Sequence, residues 1–241
     1  MFLRNFVAFV LFGSAVLAHA QTPTSTKGAK SNAKADLDSE TKLVLKAISQ
    51  KYASLGSWQG RITEERVSSG LGGLAKFYEG KIYFARPDRF RYEIATKPAT
   101  LAVSNGIEFW FGKFPEGLEQ KGQIKHFKTL RGVELDKYLA FLRGIDVQNP
   151  QAEAKLFADF KVEAKYEKTH LVLKLMPKSS SEVQSIEMHF MQTENHPSRI
   201  IIEDVIGTTT TIRVLEASPL NTINPKLFAP TFAKGSDIEK L

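Results

Sequence analysis

From Trp58 to Leu215 the chain is written in short stretches of alternating apolar and polar residues separated by turn residues. Successive side chains of a strand point to opposite faces, so this period of two predicts a sheet with one apolar face. Glu79–Phe84 sets Ile82 and Phe84 on one side and Lys81 and Tyr83 on the other. Arg86-Pro87-Asp88 breaks the run as a turn, and Phe90, Tyr92 and Ile94 then alternate with Arg89, Arg91 and Glu93. Leu101 and Val103 lead into Asn105-Gly106, the strongest short hairpin signal in the chain, with Glu108–Phe111 as the returning strand. Further along, Lys155–Tyr166 pairs with Thr169–Met176, and Glu182–Met191 pairs with Ser198–Val205 through Asn195-His196-Pro197. Thr208–Leu215 is the last strand expected. Gly70–Gly73 reads as a loose hairpin loop, Gly117–Gly132 as polar and poorly patterned, and Gln148–Ala154 as a loop.

Two segments have helical spacing. Leu37, Val44, Ala47, Ile48, Tyr52 and Leu55 recur at three- and four-residue steps, with Asp38 or Ser39 available as a cap and Gly56 as the stop. Leu135, Tyr138, Leu139 and Leu142 mark a second, shorter amphipathic helix closed by Gly144, and Asn224–Phe228 reads as a brief helical turn. Short connections between nearly all strands favour antiparallel pairing, and a long antiparallel sheet curls. The expected class is therefore α+β: an open, half-closed antiparallel β-barrel of about eleven strands, with helices covering the concave apolar face.

The N-terminus has the three parts of an export signal: Arg4, the apolar run Phe6–Leu17, and Ala18-His19-Ala20. Cleavage after Ala20 is expected, which places the mature protein in an extracytoplasmic compartment. Residues 21–36 lack large apolar side chains and read as a disordered leader, so the folded domain is expected over 37–241. There is no Cys, so a packed core and not disulfides must hold the fold. The net charge of +7 suits a solvated surface or attraction to anionic head groups. The basic residues are scattered along the chain, which argues against nucleic acid as a partner.

Residues for chemistry are sparse. There is no Gly-x-Ser-x-Gly elbow, and His126, His170, His189 and His196 lie singly, without metal-ligand spacing. No catalytic residue, metal or cofactor is expected. Apolar inward faces remain, and periodicity alone fits both a sandwich core and the lining of a cavity.

The run Ile82-Tyr83-Phe84-Ala85-Arg86-Pro87-Asp88-Arg89-Phe90-Arg91-Tyr92-Glu93, followed by Lys97-Pro98, Val103-Ser104-Asn105-Gly106 and Phe109-Trp110-Phe111, resembles the hallmark of the LolA family. Leu175-Met176-Pro177-Lys178 and the C-terminal Phe228, Pro230 and Gly235-Ser236-Asp237 resemble it more loosely. The Arg61-Ile62-Thr63 strand departs from the family's usual Phe-x-Gln.

The resemblance implies a monomeric, non-enzymatic carrier in the periplasm, with no cofactor. Its cargo would be acylated lipoproteins or lipids, taken from an inner-membrane ABC transporter to an outer-membrane acceptor. It places Ile82, Phe84, Phe90, Tyr92, Leu101, Val103, Phe109 and Phe111 in a lipid-binding cavity. Tyr138, Leu139 and Leu142 would form the lid, and Arg86 would gate it by hydrogen bonding to lid backbone. The same half-barrel could instead serve a carrier or sensor for another lipid or glycolipid. A reading of a different class is an extracytoplasmic acyl-ester hydrolase.

Overall fold

The computed structural model describes residues 38–86, 88–128, 149–179 and 181–241. The signal, the leader and the helix expected at 135–142 lie outside the described residues.

Helix α1 (Ser39–Leu55) begins where Asp38 caps it: the Asp38 Oδ1 accepts from the Thr41 backbone N–H at 2.8 Å, and Oδ2 from the Thr41 hydroxyl at 2.7 Å. That N–H first, and the hydroxyl second, hold the Asp38 carboxyl below its usual range. The depressed value means the cap's contribution is present at neutral pH and is lost as pH falls through the folded-state value. One stripe of the helix, Val44, Leu45, Ile48 and Tyr52, is buried. Its ends are tied down as well. Glu40 accepts from the Tyr166 backbone N–H at 3.0 Å, and Lys51 Nζ donates to the carbonyls of Gln192 and Glu194 at 2.7 and 2.6 Å.

The strands are β1 (Trp58–Ser68), β2 (Ala75–Ala85), β3 (Arg89–Ile94), β4 (Ala99–Asn105), β5 (Phe109–Phe114) and β6 (Gln123–Phe127). After helix α2 (Pro150–Asp159) come β7 (Phe160–Glu167), β8 (His170–Pro177), β9 (Val183–Met191), β10 (Arg199–Asp204), β11 (Thr208–Pro219) and β12 (Asp237–Lys240). They form one twelve-stranded sheet in the order β12-β6-β5-β4-β3-β2-β1-β11-β10-β9-β8-β7. Every pairing is antiparallel except β12 with β6. Both edges, β12 and β7, stay unpaired to each other, so the barrel is open. Inward residues of β1–β5 and β7–β11 share one core cluster with α1, which places the helix in the concavity.

Two glycines mark close backbone approach on β1 and β2. Gly60 faces Ile82 and Gly80 faces Ile62 across the β1–β2 pair, so both glycines lie on the concave face. A Cβ on Gly80 would sit 2.3 Å from the Glu93 carbonyl oxygen, and one on Gly60 would sit 2.5 Å from that of Glu216. Beside them the β1–β11 register slips between Arg61 and Ile62, leaving Leu215 as the extra residue of a bulge.

Three elements differ from the sequence reading. Strand β6 lies in the segment expected to be unpatterned. It is a short strand whose partner β12 comes from the distant C-terminus, so no local alternation announces it. Helix α2 replaces the expected loop over Gln148–Ala154 and the start of the expected strand at Lys155. Its signal was present: the Asn149 side chain caps the first turn and Pro150 occupies it. The third element is β12 itself. The expected 3₁₀ turn is found at Pro225–Phe228, with Asn224 as its cap.

Candidate functional site

Residues directly opposed in an antiparallel pair share a face. One row across the concave face therefore runs Trp58, Phe84, Phe90, Ser104, Phe109 and Phe127. The next runs Gly60, Ile82, Tyr92, Ala102, Phe111 and Lys125. Strand β4 contributes only small side chains to both rows. Aromatic rings of β3 and β5 close the gap over it: Phe90 and Phe109 lie 5.8 Å apart, and Phe109 and Phe127 5.5 Å.

This assigns each expected lining residue. Ile82, Phe84, Phe90, Tyr92 and Phe109 lie on the concave face and are fully buried in the main core. Phe111 lies on the same face, half-buried at the core's margin. Leu101 and Val103 do not belong there. They oppose Glu93 and Arg91 and point to the convex side, where they pack in a second cluster with Ala99, Phe114 and Ile124. Phe232 of the C-terminal segment stacks on Phe114 in that cluster, so β4 is buried on both faces and its alternation is invisible. Arg86 is exposed in the β2–β3 turn, and its expected lid partners Tyr138, Leu139 and Leu142 lie outside the described residues.

Burial grades outward along the concave face. The middle is packed by the chain's own side chains, while Tyr78, Phe111, Phe127, Ile202 and Val214 are half-buried at its margin. Leu156 and Phe157 of α2 pack against the same cluster and are also half-buried. Helix α1 ties to β7 at one end and to the β9–β10 turn at the other; Tyr52 packs edge-on against Phe190 at 5.4 Å and donates to the Met188 sulfur at 3.8 Å. Burial raises the Tyr52 hydroxyl pKa, so it stays neutral.

One buried acidic side chain sits inside this apolar face, and no local pattern announces it. Glu64 is 2 % exposed. The Tyr92 hydroxyl donates to its Oε2 and Arg66 Nε pairs with its Oε1, while the Arg66 guanidinium lies 5.0 Å over the Tyr78 ring. A buried carboxylate is tolerated only when paired in this way. Tyr92→Phe should therefore destabilise the fold by about 1–3 kcal/mol despite removing a single oxygen. Urea denaturation measures this, and an unchanged midpoint would show that Tyr92 does not support the carboxylate.

The described histidines have structural partners. His126 stacks on Trp110 at 4.9 Å and His196 on Trp58 at 5.6 Å. Ser198 directs its hydroxyl to the His189 carbonyl at 3.1 Å, not to the ring. Among the described residues, no group of three or more His, Asp and Glu could hold a metal ion. No described helix is long and apolar enough to cross a membrane.

No protein-family profile and no curated protein matches the sequence. Among solved structures, a LolA superfamily protein of Nitrosomonas europaea is similar at 14 % identity and a TM-score of 0.39, over 79 % of this chain and 98 % of that one. MucB of Pseudomonas aeruginosa in complex with MucA is similar at 13 % identity and a TM-score of 0.40, over 78 % of this chain and 60 % of that one. LprF of Mycobacterium bovis is similar at 12 % identity and a TM-score of 0.34, over 78 % of this chain and 98 % of that one. Likenesses at these scores carry no argument about activity. By its single open sheet, its order of pairing and its helix in the concavity, the chain has an α+β open-barrel architecture.

Proposed function

We propose that the protein is a periplasmic chaperone, exported by cleavage after Ala20, that holds acyl chains of lipoproteins on its concave face. It would receive them from an inner-membrane ABC transporter and deliver them to an outer-membrane acceptor. The observation that supports this most is the outward grading of the concave face. Its centre is closed by rings meeting over small residues, and its margin keeps Tyr78, Phe111, Phe127, Ile202 and Val214 half-buried. Side chains at such a margin can exchange contacts with one another for contacts with hydrocarbon. A buried methylene is worth ~0.8 kcal/mol, so a long acyl chain carries roughly 10 kcal/mol against crossing water. A carrier must cover most of that surface and still release it, which a face closed by its own side chains allows. In this reading Ile82, Phe84, Phe90, Tyr92, Phe109 and Phe111 form the lining. Arg86 and the segment with Tyr138, Leu139 and Leu142 form the gate, and no catalytic group or cofactor takes part.

Native mass spectrometry of the protein purified from its own periplasm tests this. A bound triacylated protein is the expected result. Bound free lipid alone would move the reading to a carrier or sensor of another lipid, and turnover of acyl esters would replace it with a hydrolase.

A further inference from the structure

A cavity of about 560 Å³ lies apart from the apolar interior, where the β7–β8 turn meets β9 and β10. Its lining includes Glu167, Lys168, His170, His189, Ser198 and Arg199. This volume falls in the range of small-molecule sites, roughly 300–1,000 Å³. His189 reaches it because it alternates with Met188 and Phe190, which point into the core.

Arg199 is held at the cavity by a fixed support. Its Nη2 lies 3.2 Å from His189 Nδ1 and 3.1 Å from Nε2, and Nε2 lies 2.6 Å from Glu187 Oε1. Burial holds the His189 imidazole below its ordinary pKa, so the ring is neutral at pH 7. Its Nε2–H then donates to Glu187, and the Arg199 Nη2, nearly equidistant from both ring nitrogens, rests against the imidazole. His170 stands edge-on to His189 at 6.1 Å, with its Nδ1 3.1 Å from the Thr169 hydroxyl.

A second, independent feature is Lys168. It occupies the β7–β8 hairpin turn at φ 48°, a positive φ that no other described non-glycine residue has. Gly or Asn takes this conformation with little strain, whereas other L-residues lose about 1 kcal/mol in it. The two-residue hairpin loop between Glu167 and His170 asks for such a positive φ, and the turn sets Lys168 at the cavity. Charge balance points the same way. Glu167 is matched by Lys165 at 2.5 Å and Glu187 by the His189–Arg199 pair, leaving the Lys168 ammonium as excess positive charge.

We propose that Lys168, His170 and Arg199 form a binding site for a phosphate group, supplied either by soluble phosphate or by a phospholipid head group. A guanidinium held in place, an ammonium and an imidazole edge suit a tetrahedral oxyanion with several acceptor oxygens. The inference does not depend on acyl carriage, because the site lies on the other face of the sheet.

The test uses the mature full chain in two arms. In one, sodium phosphate is titrated by calorimetry. In the other, the protein is floated with phosphatidylglycerol vesicles or with vesicles of a phosphate-free neutral glycolipid. The decisive variant is Lys168→Asn, which suits the turn and should keep or raise the melting temperature. Saturable phosphate binding, weakened about tenfold in the variant, establishes the site with a soluble source. Capture by phosphatidylglycerol vesicles only, lost in the variant, establishes it with a head-group source. Absence of binding in both arms, or equal binding by Lys168→Asn, overturns it.

Discussion

Gly80→Ala is expected to destabilise the protein by about 3 kcal/mol, near the upper end of ordinary overpacking, and to lower its melting temperature by roughly 6–12 °C. The added Cβ meets the Glu93 carbonyl oxygen at 2.3 Å and the Ile94 Cδ1 at 2.7 Å. The methyl of Ile94 could rotate away, but the carbonyl belongs to the β2–β3 ladder and cannot move without breaking pairing. Gly80 also stands opposite Ile62, next to the bulge in the β1–β11 pair. The same substitution at exposed Gly70, whose Cβ would meet nothing within 4 Å, should change little and serves as the control. Equal melting temperatures for the two variants would show that the close backbone approach at Gly80 does not restrict the side chain there.

Phe111→Glu is expected to weaken binding of a long-chain acyl probe about a hundredfold, since hydrocarbon would have to desolvate a carboxylate. The fold should survive. Phe111 is half-buried, and two lysines share its face: Lys125 directly across the β5–β6 pair and Lys113 two residues on, whose Nζ already lies 5.9 Å from the Phe111 ring. A glutamate there gains cationic neighbours where a core position would offer none. Phe90→Glu cannot serve the same purpose, because Phe90 is 0 % exposed and a charge there would unfold the domain. Far-ultraviolet circular dichroism and a denaturation midpoint separate loss of binding from loss of fold. A folded Phe111→Glu protein with unchanged probe affinity would remove the concave margin from the site.

The strands were legible wherever one face is buried and the other solvated. Phe90, Tyr92 and Ile94 alternate with Arg89, Arg91 and Glu93, and β3 shows that burial pattern. The Asn105-Gly106 turn was equally local: the Asn105 side chain accepts from the backbone of Ile107 and Glu108, both at 2.8 Å. Helix α1 announced itself through its stripe and its Asp38 cap.

What failed to show was non-local. The face of Leu101 and Val103 depends on β3–β4 register and on a cover supplied by residues more than a hundred positions later. Strand β6 depends on a C-terminal partner in the same way. Glu64 follows Thr63 in a strand that reads as polar, and only the neighbouring strands reveal that it is enclosed between Tyr92 and Arg66. Helix α2 is the exception, since Asn149-Pro150 is a local start signal.

In the proposed function the concave face accepts hydrocarbon in exchange for its own side-chain contacts. The most direct measurement is titration of a fluorescent long-chain fatty acid into the wild-type mature chain, with a triacylated lipopeptide as competitor. Saturable binding at one site, with an affinity of about a micromolar and displacement by the lipopeptide, is the predicted result. A probe signal that never saturates, or that the lipopeptide leaves unchanged, would contradict it.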